Sequence, residues 1–244
     1  MCGEAPTPPL HPFPMPGPST LRPAASSRRD FFKRAGLGLG AVAAASALQA
    51  CDTGDPEVDA EAVRLDFASD AGVLNYAYAL EQLEAAFYAA VVADSRFATT
   101  FSGAEQVILR DLAAHEAIHR DFLAAAIAGA GAAPIRDLTP DFGDVELDNR
   151  DSVLATALVF EDLGVSAYNG AGRYLDNGTF LTIAGKIVSV EARHASVVAG
   201  LITPNAIAGA DAIDGMGLDK ARTPTDVLRL AAPFIEDDIV AVNV

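Results

Sequence analysis

The sequence predicts an all-α fold: a four-helix bundle with a long crossover between its second and third helices and a short helical extension at the C-terminus. Four long stretches carry apolar side chains at helical spacing. Two of these stretches contain a Glu-x-x-His motif, and the other two contain a lone Glu. A Pro- and Asp-rich segment separates the second stretch from the third, where a bundle with a parallel helix pair needs a long connection.

The first two helices have clear start and stop signals. The first is predicted over residues 73 to about 92, and its apolar stripe also carries Glu81. The second is predicted to begin at Ser102, because Glu105 follows three residues later in the pattern of a capping box. It is predicted to end before Gly129, since glycine is expected just past a helix C-terminus.

The second helix pair follows a crossover over residues 132–150. The third helix is predicted from residue 151 to about 175, and the Asp-Asn-Gly sequence at 176–178 marks a turn after it. The fourth is predicted over residues 180 to about 202. A further short helix is predicted from residue 223 to about 232, where a proline ends it.

The two helix pairs repeat each other in sequence. Residues 80–88 align with residues 160–168. In this alignment Glu81 matches Glu161, whereas Glu84 matches a glycine. The repeat therefore favours Glu81 over Glu84 as the functional carboxylate of the first helix.

Six residues of the four helices are predicted to converge on a site for two metal ions. They are one lone Glu and one Glu-x-x-His motif from each pair: Glu81, Glu116, His119, Glu161, Glu191 and His194. Positions three apart in a helix lie about 60° apart around its axis, so the Glu and His of each motif share a face. A four-helix bundle that holds two metal ions in its core uses this ligand set.

Charge and ligand chemistry indicate the number and type of ions. Four ionised carboxylates on apolar helix faces cost several kcal/mol unless their charge is compensated. Two divalent cations balance four carboxylates, while the two histidines bind as neutral imidazoles. Mixed carboxylate and imidazole ligands suit iron or manganese, and the absence of thiolates argues against a structural zinc or iron–sulfur site. The predicted cofactor is therefore a pair of Fe or Mn ions.

Each predicted ligand has an expected role. Glu116 and Glu191 are expected to bridge the two ions. Each lone Glu would then bind one ion, and each His would complete the coordination of one ion. Open coordination positions would admit O₂ or peroxide, which are the expected partners besides the metal ions.

Other polar residues near these positions are interpreted as non-ligands. Glu84 is expected to lie near the ligands or at the bundle surface. His115 is interpreted as a surface residue or as one that contacts a ligand. Tyr78, Tyr88 and Tyr168 are interpreted as core packing, and hydrogen bonding to the ligands is the alternative.

The chain resembles the ferritin-like superfamily, and within it the exported branch that includes desiccation-related proteins. The resemblance rests on residues 74–88, on the six predicted ligands and on the tail over residues 218–235. It covers about residues 68–240. It implies a di-iron or di-manganese centre that handles Fe²⁺, O₂ or peroxide, and it leaves the reaction open.

The N-terminus resembles a twin-arginine export signal. Arg28 and Arg29 precede an uncharged, Ala/Gly-rich run over residues 35–50. This run is shorter than the roughly 20 residues that a membrane-spanning helix needs. The alternative interpretation is a buried N-terminal helix. Export would place the protein in the periplasm or at the cell surface.

Cys51 follows this run in a sequence that resembles a bacterial lipobox, so it is expected to carry a lipid that anchors the protein to the membrane. The alternative is an unmodified Cys in a secreted chain. Cys2 is the other cysteine and would leave with the signal, so no structural disulfide is expected. The predicted organisation is an export signal (1–50), a tether (51–67), the bundle (68–203) and a C-terminal extension (204–244).

Composition and fold leave two main functional hypotheses. The net charge of −16 repels nucleic acids, so no nucleic-acid partner is expected. The first hypothesis is an exported di-metal protein that oxidises Fe²⁺ or consumes O₂ or peroxide in envelope stress protection. The alternative is a non-enzymatic desiccation- or stress-related envelope protein with structural metal or none. The tether and the extension argue against a third use, an iron-storage shell, and the oligomeric state stays open.

Overall fold

The computed structural model describes residues 62–244 and confirms the predicted all-α helical bundle. The predicted export signal and Cys51 lie outside the described residues. The elements are β1 (Val63–Asp66), α1 (Asp70–Ala93), α2 (Phe97–Thr100), α3 (Gly103–Gly129), α4 (Arg150–Ala171), α5 (Gly178–Ile202), α6 (Pro224–Ala231) and β2 (Ile239–Val242). None of the helices in this described part is both long and apolar enough to span a membrane.

The long helices α1, α3, α4 and α5 each begin at a side-chain cap. The capping residues each accept a hydrogen bond from a backbone N–H of the first turn: Ser69, Ser102, Asn149 and Asn177. At Ser102 the predicted capping box is complete, because the Glu105 carboxylate accepts a hydrogen bond from the Ser102 N–H over 2.8 Å. Local sequence therefore sets where these helices start.

Helix α4 ends at Ala171 rather than near residue 175, and a 3₁₀ turn over Gly172–Tyr174 follows it. The Asp70 carboxylate accepts hydrogen bonds from the backbone N–H groups of Asp176 and Asn177. These bonds hold the chain beside the start of α1, so it leaves the axis of α4 and turns toward α5. A contact with α1, which lies far away in the sequence, therefore determines where α4 ends.

The crossover between α3 and α4 runs along α1, where two buried amides hold it. Asn75 and Gln82, two helical turns apart, each donate to a carbonyl and accept from an N–H of the crossover. Their partners are Ala133, Ile135, Arg136 and Leu138. The helices pack mainly as two pairs, α1 with α3 and α4 with α5, and the crossover connects the pairs.

A two-stranded parallel sheet joins the two ends of the described chain. Strand β1 pairs with β2, with Val63 opposite Ile239 and Asp66 opposite Val242. Val63 and Leu65 alternate inward and are buried. The prediction of a tether over residues 51–67 is therefore wrong for residues 63–66, because a partner strand far along the chain supplies their hydrogen bonds.

The C-terminal extension, which begins after α5, packs on α4. The Arg222 N–H donates to the Ser166 carbonyl over 3.0 Å, and its guanidinium donates to the Ser166 hydroxyl over 2.7 Å. Gly170 lies one turn further along α4 and permits this approach. A Cβ at Gly170 would lie 1.8 Å from the Arg222 carbonyl oxygen.

The variant Gly170→Ala is therefore expected to destabilise the protein by about 1–3 kcal/mol, the usual effect of overpacking. Gly185→Ala is the matched control, because a Cβ at that helical glycine meets no atom of residues 62–244 within 4 Å. It is expected to stabilise the protein by about 0.5–1 kcal/mol through helix propensity. Urea denaturation of both variants measures the difference, and equal effects would contradict the close approach.

Candidate metal centre

All six predicted ligands lie in the interior of the bundle. Helix α1 contributes Glu81, α3 contributes Glu116 and His119, α4 contributes Glu161, and α5 contributes Glu191 and His194. The four carboxylates are completely buried, and the side chains of His119 and His194 are 12% and 6% exposed. Each residue stands on the apolar face of its helix, so folding carries four carboxylates into the core.

The six side chains form two overlapping groups of four. In each group, one ligand atom per residue lies within 4.8 Å of the others. The first ligand group is Glu81, Glu116, His119 and Glu191, and the second ligand group is Glu116, Glu161, Glu191 and His194. Glu116 and Glu191 belong to both groups. This is the arrangement expected of carboxylates shared between two ions.

The two groups have nearly the same internal geometry. In each group, Nδ1 of the histidine lies 2.7 Å from one shared carboxylate and 3.4–3.5 Å from the other two carboxylates. The shorter contact is to Glu191 in the first group and to Glu116 in the second. The groups are therefore related by an approximate two-fold axis, as the internal repeat predicts.

Hydrogen bonds do not compensate for the burial of most polar atoms in the six candidate ligands. Among the described residues, Nδ1 of both histidines and six carboxylate oxygens of the four glutamates are buried without a hydrogen-bond partner. The 2.7 Å contacts are short enough for hydrogen bonds but lack their direction. Two atoms bound to one ion at about 2.1 Å lie roughly 2.7–3.4 Å apart at bond angles of about 80–110°. The residues present therefore fit a metal ion in each group.

Comparison with known proteins identifies the family. The sequence profile of the ferritin-like domain matches residues 69–204, which is more than half of the chain and includes all four long helices. The chain belongs to the ferritin-like domain family. A search of curated proteins found no match. The superfamily resemblance is confirmed, and the more specific resemblance to exported desiccation-related proteins stays a prediction.

Burial and mutual repulsion shift the pKa values of the glutamate carboxyl groups in this ferritin-like domain. Burial raises the pKa of Glu81 well above its usual range, and the negative charge of Glu191 raises it further. Burial raises the pKa of Glu161 to about 8, although interaction with His194 opposes that rise. Burial would also raise the pKa of Glu116, but the two histidines outweigh it and lower the pKa to about 2.

Both histidines hold a proton strongly when no metal is bound. Burial lowers the pKa of each, but the surrounding carboxylates outweigh burial and raise the pKa of His119 and of His194 to about 12. The cluster therefore attracts positive charge. Metal ions that bind at Nδ1 must displace these protons.

Two tyrosine hydroxyls hold the lone glutamates in a crossed arrangement. Tyr88 of α1 donates to Glu161 Oε1 over 2.5 Å, and Tyr168 of α4 donates to Glu81 Oε1 over 2.6 Å. The interpretation of these two tyrosines as core packing alone is therefore wrong. Tyr78 lies in an apolar cluster of the core that also includes Tyr168. The repeat contained the missed signal, because both bonded tyrosines stand two turns after a lone Glu.

Two residues break the approximate symmetry of the centre. His115 is exposed, and its Nδ1 lies 2.9 Å from Nε2 of His194, so it links this candidate ligand to the surface. The corresponding residue of the second half is Val190. Glu84 is buried outside both ligand groups. Its Oε1 occupies the space left by Gly164, 2.9 Å from where a Cβ would stand.

Proposed function

We propose that the protein binds two iron or manganese ions in this cluster and uses them to oxidise Fe²⁺ or to consume O₂ or peroxide. The supporting observation is the pair of ligand groups that share Glu116 and Glu191. Held by these residues, two ions would supply two electrons by losing one each, which with two protons is enough to reduce O₂ to H₂O₂ or H₂O₂ to two waters.

The chain's own residues prepare the site for this chemistry. The hydroxyls of Tyr88 and Tyr168 each hold one oxygen of a lone glutamate, so the other oxygen stays free toward its ligand group. The contact from His115 engages Nε2 of His194, so Nδ1 is the nitrogen that faces the cluster. The buried helix faces around the carboxylates keep bulk water away from the reacting species.

We also propose that the protein works outside the cytoplasm, as a lipid-anchored member of the desiccation-related branch that protects the envelope from stress. The paired arginines, the Ala/Gly-rich run and Cys51 support this placement. Fractionation of the native host tests it, and a form that stays in the cytoplasm with residues 1–50 intact would rule it out.

The variant Glu161→Gln is expected to lose metal-dependent consumption of O₂ and peroxide while its helical content stays unchanged. Glutamine can still accept the Tyr88 hydrogen bond, but it has no charge to offer an ion in the second ligand group. An oxygen electrode and the absorbance of Fe³⁺ follow the reaction, and circular dichroism follows the fold.

Glu84→Gln is the matched control, because Glu84 is a buried glutamate outside both groups. It is expected to retain activity. If the wild-type protein binds metal but consumes neither oxidant, the proposed oxidative function is wrong. The non-enzymatic alternative with structural metal then replaces it.

A further inference from the structure

A small apolar cavity lies among α1, α3, α4 and α5, beside the first ligand group. It offers about 20 Å³ to the centre of a water-sized molecule. A cavity needs about 10–15 Å³ by this measure to admit one water. The space therefore suits one very small molecule and no larger organic compound.

The inner wall of the cavity adjoins the first ligand group. Three lining residues stand within one helical turn of Glu81, His119 and Glu191 in sequence, namely Leu80, Leu123 and Ile187. Tyr168 also lines the cavity, and its hydroxyl is 2.6 Å from Glu81. Because Glu81 and His119 belong only to the first group, the cavity adjoins that position and not its symmetry mate.

The outer wall of the cavity approaches the surface. Gly172, Leu175 and Ala184 line it and are partly exposed. They stand at the turn after α4 and in the early part of α5. A small molecule would therefore have a short path from solvent to the neighbourhood of Glu81.

The lining selects against polar occupants. Its hydroxyls belong to Tyr168, which is already bonded to Glu81, and to Tyr76, whose buried hydroxyl has no partner among the described residues. A buried water needs two to four polar partners, and apolar cavities stay dry and bind apolar gases. Hydrogen peroxide has two hydroxyl groups, of which the free Tyr76 hydroxyl can pair with one. Burying the other without a partner costs roughly 1–3 kcal/mol.

We propose that this cavity binds dioxygen beside the first ligand group, so that O₂ and not peroxide is the oxidant that enters by this route. The use of the bound O₂ rests on the proposed function. The binding itself rests only on the size, the lining and the position of the cavity.

Dioxygen is paramagnetic, so nuclear magnetic resonance under O₂ pressure reports its binding directly. In protein loaded with redox-inert Zn²⁺, the methyl groups of Leu80, Ile183 and Ile187 are expected to relax several-fold faster under O₂ than buried methyl groups elsewhere. Equal relaxation of cavity methyl groups and other core methyl groups would overturn the proposal. If Zn²⁺ does not bind, the metal-free protein still decides whether the cavity binds O₂. The proposed function fails separately, if neither Fe²⁺ nor Mn²⁺ binds.

Two variants fill the cavity at positions about two or more helical turns along their own helices from the candidate ligands: Ala171→Leu and Ala184→Leu. Both are expected to abolish the fast methyl relaxation, to raise the KM for O₂ several-fold and to leave the rate with peroxide unchanged. Using two variants protects the test if one fails to fold.

Ala124→Leu is the matched control. Ala124 is half-buried and packs against the apolar core cluster that contains Leu123, Ile183 and Ile187, but it does not line the cavity. It is expected to behave as wild type. Equal slowing with O₂ and with peroxide in the filled variants would overturn the proposal, because it would show a general effect on the metal centre.

Discussion

Replacing Glu116 by Gln is expected to remove metal binding at both positions, whereas replacing Glu81 by Gln is expected to remove it at only one. The reason is geometric, since Glu116 belongs to both ligand groups and Glu81 to the first alone. Loss of a residue that merely supports a ligand weakens metal affinity by about 10–100-fold. Loss of a shared carboxylate should therefore weaken both sites by at least about 100-fold.

Metal analysis of dialysed protein and calorimetric titration with Mn²⁺ measure this difference. The wild-type chain is expected to retain two ions, Glu81→Gln one, and Glu116→Gln less than one. Glu191→Gln removes the other shared carboxylate and repeats the test if Glu116→Gln does not fold. Glu84→Gln controls for the loss of a buried carboxylate as such.

Two results would contradict the shared-carboxylate arrangement. In one, Glu116→Gln keeps one ion with wild-type affinity, so that Glu116 serves a single position. In the other, Glu84→Gln loses an ion, so that Glu84 is a ligand despite its place outside both groups.

Metal ions are expected to stabilise the protein more strongly as the pH rises. The metal-free folded state holds protons that the unfolded chain releases, because the pKa of Glu161 is about 8 and those of His119 and His194 are about 12. Unfolded glutamate and histidine release their protons near pH 4.3 and 6.5. Stability of the metal-free protein therefore falls as the pH rises from about 4.3, the unfolded value of glutamate, to about 12, the folded value of the two histidines.

Glu116 contributes in the opposite direction and outside this window. Its pKa is lowered to about 2, so its stabilising effect is complete above about pH 4.5 and is lost only in acid. Bound divalent ions replace the protons of the other groups. Their binding is therefore expected to release protons and to strengthen with pH.

Thermal unfolding with and without Mn²⁺ near pH 6 and near pH 8.5 measures this linkage. An ion at about 1,000 times its Kd stabilises the folded state by about 4 kcal/mol, which is roughly 8–16 °C in Tm for a domain of this size. The metal-induced increase in Tm is expected to be larger at the higher pH and to disappear with a chelator. Equal increases at the two pH values would mean that protons and metal ions do not compete.

The candidate ligand set could be predicted from sequence because helical motifs and an internal repeat identify it without knowledge of the fold. Helical geometry places the Glu and His of each motif on one face, and the repeat distinguishes Glu81 from Glu84. The same locality explains why the capping box at Ser102 was predicted correctly. The motifs and the cap require only residues a few positions apart, and the repeat requires only a comparison of two stretches of the sequence.

The errors occurred where distant segments meet. Residues 63–66 become a strand only because β2 lies beside them. The end of α4 depends on the Asp70 carboxylate of another helix. In both cases, the information lies in a partner far along the chain, which no local pattern of these residues contains.

The sequence by itself determined the four long helices, the cap at Ser102 and the six candidate ligands, because helical periodicity turns spacing along the chain into position on a face. Only the tertiary structure decided the crossed bonds of Tyr88 and Tyr168, the contact of His115 with His194, and the cavity beside Glu81. Each of these depends on how the helices are turned and spaced against one another. Packing sets those distances, and spacing within one helix does not contain them.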